Sequence, residues 1–307
     1  MPIFKIQGKQ LLPIKESKID LEKDLQKITE ENLEAVFGLK FVSSEFQLNN
    51  LRIDTLAFDE ETNSFIIIEF KRDRSFSVID QGYAYLALML NNKADFILEY
   101  NENLKANLKR ENIDWSQSRV LFLANSFTTY QQNAINFKDL PIELWEVKRY
   151  DNETILYNQF RAADTKESIK TVSKSKTIVG VSKEVKAKTV YDHFNDNWVE
   201  MKELFEKIRE KILDLDNRII ENPNPNNYIG YKIGNANICT IHPYKSKLGF
   251  SLGRVDKEDV KDPENWVKKV PWKKFKWPKL CVFDINSEED IDYAMFLIKQ
   301  VYDKFYK

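Results

Sequence analysis

Apolar residues recur along this chain with two different periods, and the changes between them outline its elements. Across 17–37, Leu21, Leu25, Ile28, Leu33 and Val36 keep near the 3.6-residue period of a helix; carboxylates crowd its first turns and Gly38 ends it. Apolar runs at 40–48, 51–58 and 64–72 are separated by Asn49-Asn50 and by the polar stretch 59–63, a pattern that predicts an antiparallel meander. Its third run has four consecutive apolar residues, Phe65 to Ile68, as expected of a central strand covered on both faces. Phe76, Ile79, Tyr83, Leu86 and Leu90 then step 3, 4, 3, 4 and predict a helix packed on that sheet. Strands expected at 94–99 and 119–124, a helix near 128–137, and strands at 142–148 and 154–160 complete an α/β domain over 1–163.

The pattern then breaks. Over 164–190 seven lysines (Lys166, Lys170, Lys174, Lys176, Lys183, Lys186, Lys188) face three acids and no long apolar period holds, which predicts a basic, extended linker. Its lysines serve either as a flexible tether or as a strand touching nucleic-acid backbone. Beyond it, Phe194, Trp198, Met201, Phe205, Ile208, Ile212 and Leu215 mark an amphipathic helix. Short strands are expected near 228–233, 237–241, 248–252 and 280–285. Ser287 and Asp290 resemble a capping box opening a last helix with Ile291, Ala294, Ile298 and Tyr302 on one face. The segment 191–307 thus reads as a small α+β domain.

Composition narrows the chemistry. Lys+Arg 47 against Asp+Glu 48 leaves a formal net charge of -1, so any nucleic-acid surface must be a local patch. With Cys239, Cys281, His193 and His242 as the whole Cys and His complement, a structural zinc needs all four to converge; Cys239 reads more simply as a buried thiol on an apolar strand. The eight glycines form neither G-x-G-x-x-G nor a P-loop, and no G-x-S-x-G elbow occurs. Apolar stretches such as 65–68 and 83–90 fall short of the roughly 20 residues of a membrane span. Met1-Pro2-Ile3-Phe4-Lys5 does not open a signal peptide, so the expected location is cytoplasmic.

What remains is chemistry carried by carboxylates and lysines. Asp54 falls inside the second meander strand, and Glu69 and Lys71 fall on the apolar third, where free charges are rare. The two-residue period points Glu69 and Lys71 to one face, with Phe65 and Ile67. If the numbers of paired residues sum to 123, Asp54 lies opposite Glu69. Two carboxylates that close resist ionisation unless a cation lies between them. A hard divalent metal supplies that cation, with Lys71 adding positive charge beside it. Such a site suits phosphodiester hydrolysis, in which negative charge on the scissile phosphate rises in the transition state.

Asp54 followed by Glu69-Phe70-Lys71, in a helix, three-strand meander, helix setting, resembles the PD-(D/E)XK nuclease superfamily. The stretches Arg52-Ile53-Asp54 and Glu69-Phe70-Lys71-Arg72 resemble the branch of mismatch endonucleases and RecB-like nucleases. The resemblance covers about the first half of the chain and implies a restriction-endonuclease-like fold, with Asp54 and Glu69 holding Mg²⁺ or Mn²⁺ and Lys71 as catalytic lysine. It also implies roles for Gln81 and Tyr85, four apart on the following helix, and for Glu22 on the first. Glu30, Glu31 and Glu34 read as solvated helix glutamates.

A second patch stands at 266–279. Lys268, Lys269, Lys273, Lys274, Lys276 and Lys279 interleave with Trp266, Trp272, Phe275 and Trp277, with no acid among them. Lysines neutralise phosphates and indoles stack on bases, so Lys268, Lys269, Trp272, Lys273, Lys274, Lys276 and Trp277 are candidate nucleic-acid contacts. The alternative is a loop whose tryptophans fill the small domain's core. The final hundred residues, notably Asp290-Ile291-Asp292-Tyr293, resemble a domain of unknown function sometimes labelled a predicted transport protein and often joined to nucleases. The expectation is a metal-dependent DNA endonuclease acting in defence or repair, with no membrane partner and a homodimer left open. The rival is a catalytically silent nuclease-fold module or interaction adaptor.

Overall fold

The computed structural model describes residues 2–17, 22–49, 51–71, 77–137, 139–160, 167–186, 188–224, 228–234, 236–270 and 279–307, the side chains of Glu22, Lys170 and Val172 excepted. It divides into two units, Met1–Ala187 and Lys188–Lys307. Among the described residues no helix is long and apolar enough to cross a membrane.

The first unit is mixed α/β. It opens with a separate two-stranded hairpin, β1 (Ile3–Gln7) and β2 (Gln10–Ile14), then β3 (Glu16–Ser17), α1 (Glu22–Glu31) and α2 (Leu33–Phe37). The single helix expected over 17–37 is therefore two, because the chain turns at Asn32, whose side chain takes the Ile28 carbonyl. Gly38 ends α2 in the left-handed conformation at φ 69°, which glycine adopts without strain.

The meander follows as β4 (Lys40–Leu48), β5 (Leu51–Asp59) and β6 (Ser64–Lys71). Its β5–β6 register runs from Asp59–Ser64 to Thr55–Ile68, and every pair sums to 123. Next come α3 (Val78–Asn91) and α4 (Lys93–Leu104). The strand expected at 94–99 is thus part of a helix, in which Phe96 and Tyr100, four apart, are buried on one face against Phe65. A short apolar run carries no period of its own, and the packing partner decided it.

β7 (Arg119–Ala124) adds parallel to β6, α5 (Thr129–Ala134) follows, β8 (Ile142–Tyr150) adds parallel to β7, and β9 (Ile155–Phe160) turns back antiparallel on β8. The sheet order is β3-β8-β7-β6-β5-β4, with β9 also on β8. β6 is central, as its apolar run predicts, and Phe65 to Ile68 are wholly buried. Each such side chain contributes about 1.5 to 3 kcal/mol by leaving water.

The basic, extended linker expected at 164–190 is corrected. Residues 167–186 form α6 (Ile169–Val172) and α7 (Lys176–Glu184), α7 packs on α3, and Ile169, Ile178, Val181 and Val185 join the first unit's core. Four apolar residues among lysines cover the helices, while Glu184 pairs with Lys93 and Ser168 donates to Asp139 at 2.6 Å. The boundary between units falls after 187 rather than at 163.

The second unit is α+β. It comprises α8 (Val199–Leu213), the antiparallel strands β10 (Ile220–Asn224), β11 (Tyr228–Ile233), β12 (Ala236–Pro243), β13 (Leu248–Gly253), β14 (Lys268–Lys269) and β15 (Leu280–Ile285), and α9 (Ile291–Tyr306). The order is β10-β11-β12-β13-β15-β14. Its core joins Phe205, Ile208 and Ile212 of α8, and Ala294, Ile298 and Val301 of α9, to Ile241, Phe250 and Phe283 of the sheet. Cys239 is a buried free thiol in that core, and no group of three or more His, Cys, Asp or Glu is placed to hold a metal among the described residues.

Candidate active site

Three elements bring the sequence-predicted charges together. The register that sums to 123 takes Asp54 to Glu69 in its next step, and there a side chain replaces the ladder: Asp54 Oδ2 accepts the Phe70 N–H at 3.0 Å. Glu69 is 4 % exposed, and Lys71, on the same face of β6, donates from Nζ to Glu69 Oε1 at 2.8 Å. α3 starts at Val78 behind Ser77, whose hydroxyl accepts the Asp80 N–H, and lays Gln81 and Tyr85 one turn apart.

The electrostatics follow from burial. Loss of water around Asp54, with the Glu69 charge next to it, pushes its carboxyl up to about 6, against the opposing pull of the Phe70 hydrogen bond, Lys71 and Arg52. Tyr85 donates to the Arg52 carbonyl at 3.5 Å; burial and the charge of Glu69 drive its phenol above the usual tyrosine value, so it keeps its proton and acts as a donor. Among the described residues, two buried acceptors here have no hydrogen-bond partner: Glu69 Oε2 and Gln81 Oε1. A buried acceptor without a partner commonly costs about 1 to 3 kcal/mol. All-oxygen donors of this kind, two of them carboxylates, fit a hard divalent cation.

Comparison with known proteins adds kinship. No protein-family model matches the chain. An uncharacterized protein of Haemophilus influenzae is 42 % identical over 305 residues, covering 98 % of this chain and 99 % of that protein. The chain belongs to the same family as that protein. The CRISPR-associated endonuclease Cas9 of Streptococcus mutans is 23 % identical over 271 residues, 84 % of this chain but 18 % of Cas9. Among solved structures, an EndoMS complex with double-stranded DNA aligns over 44 % of this chain and 50 % of its own at 16 % identity and TM-score 0.29. A repair endonuclease from Pyrococcus abyssi aligns over 39 % and 45 % at 16 % identity and TM-score 0.23. The chain thus spans half or less of the length of these named nucleases.

Glu69 and Lys71 lie at the C-terminal end of β6, Asp54 on the neighbouring strand β5, and Gln81 and Tyr85 on α3, the helix that follows β6. Glu22 opens α1, four residues before Gln26, and its side chain is outside the described atoms. Sequence reasoning missed Gln26 and misplaced Glu30. Gln26 is buried and donates to the Asp54 carbonyl at 2.8 Å, to Ser44 Oγ at 3.0 Å and to Glu30 Oε1 at 3.0 Å. Glu30, expected to be solvated, accepts from the Thr55 hydroxyl as well. The available signal was their four-residue spacing beside Leu25 and Thr29, which turns both polar side chains toward the sheet.

Of the lysine and tryptophan patch, Trp272, Lys273, Lys274, Lys276 and Trp277 lie outside the described residues. Lys268 and Lys269 form β14; Lys269 stands 3.8 Å from Asp256 and 3.7 Å from Glu258. Trp266 packs on Tyr293, ring centroids 4.5 Å apart, against the unit's core.

Proposed function

We propose that the chain is a metal-dependent endonuclease of the PD-(D/E)XK type that hydrolyses DNA phosphodiesters, with Asp54 and Glu69 holding Mg²⁺ or Mn²⁺ and Gln81 Oε1 beside them. One observation carries this reading: a buried Asp–Glu pair whose like charges lie together, with a lysine on one member and, on the same carboxylate, an oxygen that no described residue hydrogen-bonds. When bound, a divalent ion supplies Lewis acidity toward the phosphate and the positive charge the pair lacks.

The residues divide the remaining work. Lys71, held by Glu69, presents an ammonium to the non-bridging oxygens as their charge grows. Asp54 is kept in place from both ends, its carboxylate by the Phe70 N–H and its carbonyl by Gln26. Tyr85 supplies a hydrogen-bond donor beside the carboxylates. The lysine-rich strip 266–279 supplies further DNA contacts in the same proposal, Lys268 and Lys269 among them. The test is cleavage of plasmid, linear, branched, mismatched and single-stranded DNA with Mg²⁺ or Mn²⁺, wild type beside Glu69→Gln. Cutting by wild type alone supports the reading; binding without cutting under every metal leaves a silent DNA-binding module.

A further inference from the structure

The hairpin β1–β2 is not part of either large sheet, and its composition is one-sided. Between Pro2 and Lys15 it carries Lys5, Lys9 and Lys15 and no acid. The register pairs Phe4 with Pro13 and Ile6 with Leu11, so one face of the ribbon is wholly apolar; Ile3–Ile14, Lys5–Leu12 and Gln7–Gln10 form the other, which is mixed. That apolar face is in water: Phe4 is 45 %, Ile6 74 % and Leu11 61 % exposed. A lone two-stranded ribbon is marginal at best in water, and exposed contiguous apolar surface marks a binding face.

Its position follows from strand pairing. Arg149 of β8 pairs with Ile155 of β9 and with Ser17 of β3, so those two strands flank β8 on opposite sides. β3 therefore continues the line of β7 beyond Ala124, the residue paired with Lys71. Ala124 also pairs with Glu146, and Glu16 pairs with Tyr150 four residues farther along β8. The hairpin base thus stands about 13 Å beyond the level of Lys71 and about 5 Å to one side, at the same end of the sheet as the candidate active site. It is held there by Lys15 and Asp151, which exchange an N–H to Oδ1 bond at 3.1 Å and an N–H to carbonyl bond at 3.0 Å.

The geometry points to this hairpin as a ribbon that enters a groove of duplex DNA seated on the candidate active site; the inference rests on the nuclease reading above. A DNA groove of about 12 Å admits a two-stranded ribbon, and apolar side chains contact thymine methyl groups or wedge between base steps. Lys5, Lys9 and Lys15 meet the flanking phosphates. A second copy of the chain is the less favoured occupant, since it brings an equally basic ribbon against this one.

The test uses the full-length protein, free of divalent ions, and a labelled blunt-ended duplex read by fluorescence anisotropy over a range of salt. Replacing Lys5, Lys9 and Lys15 together by Gln, which touches no packed side chain, should flatten the log–log salt slope by about 0.9 for each lost phosphate contact. Ile6→Ser with Leu11→Ser should lower affinity and leave the slope unchanged, because apolar contacts release no counterions. Wild-type affinity and slope in both variants would overturn the ribbon assignment. So would a dimer in sedimentation that the Ser variant splits while DNA binding holds, or a wild type that binds no duplex. Cleavage on the same proteins separates the two readings: hairpin-dependent binding without cutting keeps the ribbon and removes the nuclease, and cutting with hairpin-independent binding does the reverse.

Discussion

Charges occur at two places where the sequence points to DNA, and they meet opposite circumstances. On β5 and β6 two carboxylates and a lysine are built into strands that are largely apolar, and among the described residues Lys71, 2.8 Å from Glu69, and Arg52, 4.0 Å from Asp54, are the cations close to the pair. Of the strip at 266–279, Lys269 on a short edge strand and Lys279 just before β15 meet acids from another loop: Lys269 faces Asp256 and Glu258, Lys279 faces Asp256 and Asp259. A charge in a core strand cannot find a partner by moving, so its company is set by the fold. A charge on a loop in water collects counter-charges at little cost and gains about 0 to 1 kcal/mol from each. Pattern alone weighs the two places alike; placement separates them.

The largest effects should come from breaking the first place. Asp54→Asn and Glu69→Gln should each abolish the heat of Mn²⁺ binding in a calorimetric titration, and cleavage with it; unchanged binding in both would remove the site. Lys71→Ala should bind DNA nearly as well as wild type and cut about 10²- to 10³-fold more slowly, as when one preorganised transition-state charge is lost. Single-turnover rates against anisotropy titrations measure the two separately.

The lysine-rich segment before the unit boundary gives a sharper version of the comparison, because it belongs to the first unit's core. Ile178→Ala should cost about 2 to 5 kcal/mol through the cavity it leaves. Lys176→Gln and Lys183→Gln, both exposed, should stay within about 0.5 kcal/mol. Urea unfolding of the three variants decides it; an Ile178→Ala curve on top of wild type would return 167–186 to the status of a tether.

A smaller effect tests the cost of the buried pair itself. The Asp54 carboxyl is raised from its ordinary 3.8 to about 6, so between those values the folded state holds a proton the unfolded chain has released. Stability from this group is therefore present below pH 4 and is lost as pH rises through 6. Asp54→Asn should melt higher than metal-free wild type at pH 7.5, by an order of 1 to 3 kcal/mol, and the difference should close by pH 4. Mn²⁺ should reverse the ranking at neutral pH by stabilising wild type alone. Equal melting curves for the metal-free proteins from pH 4 to 8 would mean that the carboxylates do not strain each other.

Much of the first unit was legible in the chain because its signals are local. The run Phe65 to Ile68 reads as a central strand, and a tight connection between Asp59 and Ser64, four residues long, is the condition under which Asp54 comes to Glu69. What escaped was set by partners far along the chain. Residues 94–99 look like a strand until Phe65 offers Phe96 and Tyr100 a common face, and Ile178, Val181 and Val185 look diluted among lysines until α3 is there to cover. Glu30 was read as solvated because three other glutamates, Glu22, Glu31 and Glu34, share its stretch; only the position of Thr55 and Gln26 distinguishes it. The division between units escaped for the same reason as α7.

The smallest effect returns to the second place and distinguishes its two described lysines. If duplex DNA touches β14, each lysine on a phosphate contributes about 0.9 to the slope of log affinity against log salt. Lys268 forms no ion pair among those described, whereas Lys269 stands within 4 Å of Asp256 and Glu258, acids that repel the phosphate it would attract. Lys268→Gln should therefore flatten the slope by close to the full amount, and Lys269→Gln by distinctly less. Asp256→Asn with Glu258→Gln should act in the opposite sense, tightening duplex binding by releasing Lys269 from its local partners. Slopes that are equal for both lysine variants, with the acid variant silent, would mean that screening in water erases the difference between the two side chains. Slopes unchanged from wild type in all three would place the strip with solvated surface, and the DNA contacts of this chain would then have to be sought in the first unit.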